Sequence, residues 1–476
     1  MAEDSGSTPQ VNDQAPSFSL LLEQFSQTME AVLEVLETVS PHVASLDDLS
    51  QHSFVLPPPP ESGQKILEEA LDKQLAKNEN DPGAPASDDE PRVISQEDSE
   101  DFAKAFVAAY KEDPETLKLL VRSIRSMTTR PRREHLLHGS LLAMAVGTLE
   151  TAIAGVGTQH FVLHPGALPS TEKEFSLSEL SEFDDLRDAR DLAISRRVED
   201  LMRGGFEAWD KWFDQLLGEG FADLAADHEM LHEAIQRRHL VVHNAGRVSR
   251  QYKSKVASCE KSVGEDLPIS RGYLEDAIDA VTIFGARLIL VAWSKWLPED
   301  KNEAAREANE LVFSYLMSGR PEPALCIATT AGEFAEENQT KLYLQVNGWQ
   351  ARKRLSGLED VREDIEAWDT TALSPEYAAA KFALLEEYDP LFQILPGLLE
   401  QEILNAEKLR AWPLFEGARQ QDRWTQIEKL LPPDEKPEEP TSAEEAKSTE
   451  SSTDFAPGPE EIHPSKDDNQ SQSAQA

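Results

Sequence analysis

Residues 228–246 read HEMLHEAIQRRHLVVHNAG and contain two sets of side chains whose types and spacing could carry out chemistry. The H-E-x-x-H motif at 228–232 matches a zinc-peptidase helix, in which two imidazoles one turn apart bind the metal and the glutamate is the base. The R-H-x-x-x-H motif at 238–243 instead supplies a guanidinium and imidazoles, which suit metal-free cleavage of a phosphodiester. The two motifs predict different enzymes.

The zinc motif lacks the rest of a zinc site. A zinc hydrolase needs a third protein ligand and an open position for water. No third histidine follows His228 and His232 at the spacing of the extended motif, and the distant candidates Glu260 and Glu265 border a segment rich in Arg and Lys. Such a segment is a poor setting for a cationic metal. Zinc-dependent hydrolysis through His228-Glu229-x-x-His232 is therefore the second alternative, and no metal site is predicted.

The elements that must position either motif are helices. Apolar residues recur at helical spacing over 135–156, 178–218, 227–243 and 268–297, and no alternating run typical of a strand is longer than about five residues. The pattern predicts an all-α bundle. The third helix should end at Asn244-Ala245-Gly246, a stop that favours the left-handed conformation. The second motif is therefore expected at a helix terminus.

The second motif and its place in this helix order resemble the HEPN superfamily, which carries an Arg, four to six residues and a His, often with a polar residue just after the Arg. The resemblance covers about residues 130–298 and implies a HEPN-type metal-independent endoribonuclease, assembled as a homodimer and often a toxin or defence factor. It also implies roles for three residues. His243 would be the general acid/base, Arg238 the phosphate clamp and His239 the polar auxiliary. Some members of the family are inactive, so a non-catalytic interaction or scaffold protein is the first alternative.

The chemistry of RNA cleavage explains why two copies would be needed. A base must deprotonate the 2′-hydroxyl, an acid must protonate the leaving oxygen, and a cation must stabilise the charged phosphorane. Five residues at about 100° each place Arg238 and His243 about 140° apart around a helix, so they do not share a face. A cleft between two such helices, related by a two-fold axis, would bring together one Arg and one His from each copy.

The net charge of −42 is distributed unevenly along the chain. Residues 1–100 hold 21 acidic and 4 basic side chains, whereas residues 237–261 hold seven basic side chains against Glu260 alone. A local cationic segment of this kind can bind a phosphate chain even in an acidic protein. The residues predicted to contact RNA are Arg237, Asn244, Arg247, Arg250, Lys253 and Lys255.

Composition divides the rest of the chain. Residues 1–98 are predicted to be acidic and mostly disordered, with an amphipathic helix at 18–43, and residues 432–476 to be a disordered acidic tail. Residues 99–298 form the predicted HEPN-like domain, with its core at 130–298. Residues 299–431 read as shorter helices, and the pattern from Leu342 to Gly357 resembles the first helix of a tetratricopeptide-type repeat. That region would offer a surface for a protein partner or an antitoxin.

The remaining expectations concern the environment of the protein. Cys259 and Cys326 lack any disulfide or metal-type spacing, which favours a reducing cytoplasm. The apolar windows 141–156 and 281–297 are shorter than a membrane span and predict core helices. The start of the chain resembles no secretory signal. We therefore expect a cytoplasmic protein with RNA as its substrate, no cofactor and no membrane contact.

Overall fold

The fold is all-α, as predicted. The computed structural model describes residues 17–52, 59–79, 104–111, 113–129, 132–168, 183 and 185–432. No strand occurs in those ranges, where the only sheet-type pairing is one isolated bridge between Arg247 and Asp266. Of the predicted tail at 432–476, residues 433–476 lie outside the described residues, and so do 1–16, 53–58 and 80–98 of the predicted N-terminal region. The described residues of that region are almost all helical, so the prediction that it is mostly disordered does not hold for them.

The first half of the chain forms long helices. Helix α1 is Phe18–His52, longer than the predicted 18–43, and α2 is Glu61–Glu79. The helices that follow are α3 (104–109), α4 (Pro114–Thr129), α5 (Arg133–Leu163), α6 (Leu186–Arg203), α7 (Phe206–Leu217), α8 (Phe221–Leu224), α9 (His228–Asn244), α10 (Arg250–Lys255) and α11 (Arg271–Trp296). A 3₁₀ turn at Pro165–Ala167 follows α5.

The predicted second helix at 178–218 is two helices, with its start outside the described residues. Helix α6 ends at Arg203, and α7 begins at Phe206 after Gly204 and Gly205. Gly205 has φ +74°, a left-handed conformation that glycine adopts at little cost and that interrupts a helix. The helical periodicity continues across this break, so pattern alone did not reveal it.

The second half of the chain forms shorter helices. They are α12 (Lys301–Met317), α13 (Pro321–Phe334), α14 (Asn338–Ser356), α15 (Arg362–Ala367), α16 (Pro375–Leu384), α17 (Tyr388–Glu400), α18 (Ala406–Ala411), α19 (Glu416–Arg419) and α20 (Trp424–Glu428), with 3₁₀ turns at Pro298–Asp300, Leu358–Asp360 and Pro413–Phe415. The helical pattern over 406–431, which the sequence alone would extend as one helix, is broken into α18, α19, α20 and a 3₁₀ turn. Pro413 lacks the N–H that a continuous helix requires.

Helix α1 is part of the main bundle. Phe18, Phe25, Met29 and Leu36 are buried in one hydrophobic core with residues of α5 and α11. The imidazole of His138 on α5 also hydrogen-bonds the Ser40 hydroxyl, at 3.0 Å from Nε2 to Oγ. The predicted amphipathic helix therefore exists, but its apolar face is covered by the bundle and does not belong to a separate N-terminal region.

The main core extends past the predicted boundary at residue 298. Residues of α12 and α13, together with Leu344 and Ala351 of α14, belong to the same buried cluster as α5 and α11. A second cluster, which begins with Val346 and reaches Leu431, forms the core of the remaining helices. Helix α14 contributes to both cores, so it joins the two halves of the chain.

Two helices of the described part, α5 and α11, are long and apolar enough to cross a membrane. They contain the windows predicted to be core helices. The most apolar 18 residues of α11 are 89% buried, as a core helix requires, whereas those of α5 are only 50% buried. Helix α5 therefore presents an apolar surface that the rest of the described chain does not cover.

Candidate functional site

Helix α9 carries both motifs and has well-defined ends. The carboxylate of Asp227 caps its first turn by accepting a hydrogen bond from the Met230 amide, at 2.9 Å. After Asn244 the chain turns through Ala245 (φ +51°) and Gly246 (φ +75°), and the Gly246 amide donates to the Leu240 carbonyl at 2.9 Å. This is the predicted left-handed stop, and it places the R-H-x-x-x-H motif in the last two turns of α9.

His239 and His243 lie next to each other on the surface of this last part of α9. Their ring centroids are 6.1 Å apart and their planes differ by 21°. Both residues are exposed, and neither ring makes a hydrogen bond with another described residue. Partial burial of the His239 ring, together with the nearby charge of Arg238, lowers the pKa of the His239 imidazole. At neutral pH this histidine is therefore in the neutral form that accepts a proton.

Arg238 lies about 100° from His239 and about 140° from His243 around α9, and it binds a carboxylate of its own bundle. Its Nη2 donates to Oε2 of Glu150 on α5, and the two side chains are only 17% and 26% exposed. Glu150 was not among the predicted site residues. The available signal was a single carboxylate inside the apolar window 141–156, which indicates a buried partner of opposite charge.

Arg237 is the interior anchor of the site and does not fit the RNA contact predicted for it. Its side chain is 12% exposed and pairs with Glu233, at 2.9 Å from Nη1 to Oε1. Its Nη2 donates to the Pro268 carbonyl at 2.9 Å, and its guanidinium carbon lies 4.2 Å from the centroid of the Tyr273 ring. The hydroxyls of Tyr252 and Tyr273 both donate to the Glu233 carboxylate. Arg237 therefore fastens α9 to α11 and to the loop that follows the motif.

Glu233 also influences the two tyrosines that contact it. Burial, reinforced by the negative charge of this carboxylate, raises the pKa of the Tyr252 and Tyr273 hydroxyls. Both phenols therefore stay protonated over any physiological pH range, and they act as permanent hydrogen-bond donors. The cluster is structural, since its polar atoms point at one another and not at solvent.

Asn244 and Arg247 hold the turn after the motif. The Asn244 amide Nδ2 donates to the Arg247 carbonyl at 2.5 Å, and the Arg247 Nε donates to Asp266 at 3.0 Å. Both side chains are exposed, so RNA could still reach them. The Arg247 charge is paired with Asp266, but an exposed ion pair is weak, so a phosphate would compete with Asp266 for this guanidinium.

The other three predicted RNA contacts lie on or beside α10. Arg250 and Lys253 are exposed, and neither forms an ion pair with a described residue. Lys255 pairs with Glu207 on α7, at 3.2 Å from Nζ to Oε1. The buried Tyr252 anchors α10 in a small core with Leu240, so the orientation of this basic helix depends on the motif helix. Arg250 and Lys253 are the predicted contacts best placed to bind phosphate.

The structure does not complete the zinc motif. His228 and His232 both pack on Phe206, with ring centroids 5.5 and 5.1 Å from it. Burial is the main cause of the lowered pKa of His232. Among the described residues, no group of three or more His, Cys, Asp or Glu side chains could hold a metal ion. The predicted zinc hydrolase thus lacks its third ligand in this part of the chain.

Comparisons with known proteins add no assignment. No family model matches the chain, and no curated protein or solved structure matches it either. The resemblance to the HEPN superfamily thus remains a prediction based on the motif at 238–243 and on the helix order around it. In the structure the motif helix α9 packs between the apolar helices α5 and α11.

Proposed function

We propose that the chain is a HEPN-type, metal-independent endoribonuclease whose active site forms between two copies. The observation that carries the proposal is the exposed pair His239 and His243, next in sequence to Arg238, at the end of a helix whose inner face is buried in the bundle. Exposed imidazoles without hydrogen-bond partners can exchange protons with a substrate. Nothing in this chemistry requires a cofactor or a metal.

The positions of three residues on α9 indicate their roles in the proposed reaction. His243, in the last turn of α9, is the general acid/base, and His239 is the polar auxiliary one turn before it. Arg238 is the phosphate clamp, because one of its five N–H donors goes to Glu150 and the others remain. Arg238 and His243 lie about 140° apart around α9, so a single copy does not direct both at one phosphate. A second copy supplies the missing partner of each.

The exposed face of α5 indicates where a second copy would bind. Leu136 and Met144, two turns apart on α5, are 57% and 55% exposed, and Val242 on α9 is 53% exposed. A Cβ at Gly139 would lie 3.0 Å from Val241, so α5 and α9 pack closely and their outer faces adjoin. This apolar face borders the motif, and a copy that buried it would bring two α9 termini together.

RNA would reach the site along α10. Arg250 and Lys253, which form no ion pair with a described residue, lie next to the C-terminal end of α9. The chain as a whole is strongly acidic, so a polyanion is attracted only to local groups of cations such as this one. We expect one strand to contact α10 of each copy while it crosses the cleft.

A second candidate function is a non-catalytic scaffold, and one observation favours it. The Arg238 guanidinium, the expected phosphate clamp, is mostly buried and bound to Glu150. A guanidinium held in this way can serve the stability of the bundle alone. In that case the chain would act through its helices at 299–431, which would bind a protein partner or an antitoxin.

One experiment separates the two functions. The purified chain is incubated with total RNA both without and with EDTA, beside the variants Arg238→Ala and His243→Ala and the control His228→Ala. The nuclease proposal expects cleavage by the wild type and the control, and a loss of about 10²–10⁴-fold in the His243 variant. An inactive wild type would favour the scaffold, and activity abolished by EDTA would contradict both.

A further inference from the structure

We propose that His239 and His243 also form a binding site for a divalent transition-metal ion of the zinc class, and that the bound ion inhibits the enzyme. Metal binding itself does not depend on the proposed function, whereas inhibition does. Three observations support the site: the spacing of the two rings, the absence of a hydrogen bond from either ring to another described residue, and the pairing of the cations around them.

The spacing suits two-point coordination. Histidines four residues apart lie on one face of a helix, and their rings here have centroids 6.1 Å apart and planes within 21° of each other. Zinc–nitrogen bonds of about 2.0–2.1 Å at a tetrahedral angle require ligating nitrogens about 3.3 Å apart. Small side-chain rotations would close the rings on one ion. No hydrogen bond to a described residue would be lost.

The charges around the pair permit a cation to approach. Two basic groups lie close enough to His239 to influence its pKa, Arg238 and Lys255. Arg238 is neutralised by Glu150 and Lys255 by Glu207. The repulsion that these two groups would otherwise exert on a divalent ion is therefore reduced.

Helix α9 also carries another pair of histidines with the same spacing, His228 and His232, which serves as a control. At about 100° per residue, His228, His232, His239 and His243 lie within about 60° of one another around the helix. The first pair along the chain has the same spacing as the second, but both of its rings pack on the Phe206 ring. Convergence on an ion would separate those rings from Phe206. We therefore expect metal at the second pair and not at the first.

One chain offers two imidazoles, which leaves two coordination positions for water. In the proposed dimer, the same pair from a second copy would complete a set of four nitrogens, the number that zinc prefers in closed sites. A metal-bound imidazole nitrogen has no lone pair left to accept a proton. Zinc would therefore inhibit cleavage, and a chelator would restore it. A zinc hydrolase that used the H-E-x-x-H motif would instead need zinc and would lose its activity in a chelator.

Isothermal titration calorimetry of the full chain with ZnCl₂, after removal of metal by a chelator, tests the site. We expect binding that weakens about tenfold or more in His239→Ala and in His243→Ala, because each loses one of the two ligands. The control His228→Ala/His232→Ala should keep the wild-type affinity. Circular dichroism of each variant would check that it is folded. Wild-type affinity in both test variants, or loss of binding in the control, would overturn the proposal.

A cleavage assay with and without ZnCl₂ separates failure of this proposal from failure of the nuclease. If the chain is a nuclease and the site exists, zinc abolishes cleavage by the wild type and by the control His228→Ala/His232→Ala. Any cleavage that remains in His239→Ala, measured against its own zinc-free rate, should be inhibited much less. If the chain is no nuclease, calorimetry still reports binding that depends on His239. Cleavage that zinc does not affect at saturating concentration would overturn the inhibitory role alone.

Discussion

Replacement of Glu150 by glutamine should strengthen RNA binding at the motif. The Glu150 carboxylate binds Arg238, so any phosphate held by the remaining donors of this guanidinium lies close to a second negative charge. Glutamine keeps an oxygen that accepts from Arg238 and removes the charge. The change is best made in a His243→Ala background, in which bound RNA would remain intact.

The magnitude follows from the geometry. A phosphate on the far side of the guanidinium would lie about 6–7 Å from the Glu150 carboxylate, which gives a repulsion of about 0.6 kcal/mol at a dielectric constant of ~80 and about 2.6 kcal/mol at ~20. The two side chains are 17% and 26% exposed, so solvent screens part of this repulsion. We take about 1 kcal/mol, which corresponds to a Kd lower by about fivefold.

Fluorescence anisotropy with a labelled single-stranded RNA, at several salt concentrations, would measure this change. The control is Glu359→Gln, which removes the same charge from an exposed ion pair with Arg362 and should leave the Kd unchanged. If Glu150→Gln binds RNA no more tightly than its His243→Ala parent, while its urea unfolding curve matches that of the parent, then RNA does not approach Arg238. The assignment of Arg238 as the phosphate clamp would then be wrong.

Three further predictions follow. Gly285→Ala places a methyl group against the Phe25 ring between α11 and α1. We expect the free energy of unfolding, measured with urea, to fall by about 1–2 kcal/mol, because overpacking outweighs the gain in helix propensity. Burial lowers the pKa of His160 to about 4. The neutral imidazole therefore stabilises the fold above pH ~6.5, and this contribution, up to ~3 kcal/mol, is lost as pH falls towards 4. The free energy of unfolding of His160→Phe should depend less on pH over this range, and a slope equal to that of the wild type would contradict the prediction. Arg250→Ala and Lys253→Ala should each reduce the salt dependence of RNA binding by about 0.7 in log–log slope; an unchanged slope would exclude that residue from the phosphate contacts.

Local features of the sequence predicted much of α9. The all-α class, the end of the helix at Asn244 and the adjacency of His239 and His243 depend on interactions within a few residues along the chain. Helical periodicity and the left-handed stop are both local properties. For that reason they were correct without any knowledge of the tertiary structure.

The partners of the charged side chains depend on contacts distant in sequence. Glu150 and Arg238 are 88 residues apart in sequence. Arg237 donates a hydrogen bond to the carbonyl of Pro268, which lies just before the start of α11. Arg237 and Arg238 are consecutive in sequence but have different partners, and the local sequence pattern does not show which partner each one has. Only packing decides which charge is buried and which carboxylate neutralises it.

The sequence by itself thus determined the all-α class, the end of α9 and which imidazoles are neighbours, because those properties arise from interactions within a few residues along the chain. Only the tertiary structure decided that α1 packs in the main bundle, that Arg237 is held in the interior by Glu233, and that Glu150 forms an ion pair with Arg238. These results depend on how apolar faces from distant segments pack, since packing sets the burial of each charge and so the free energy of leaving it unpaired.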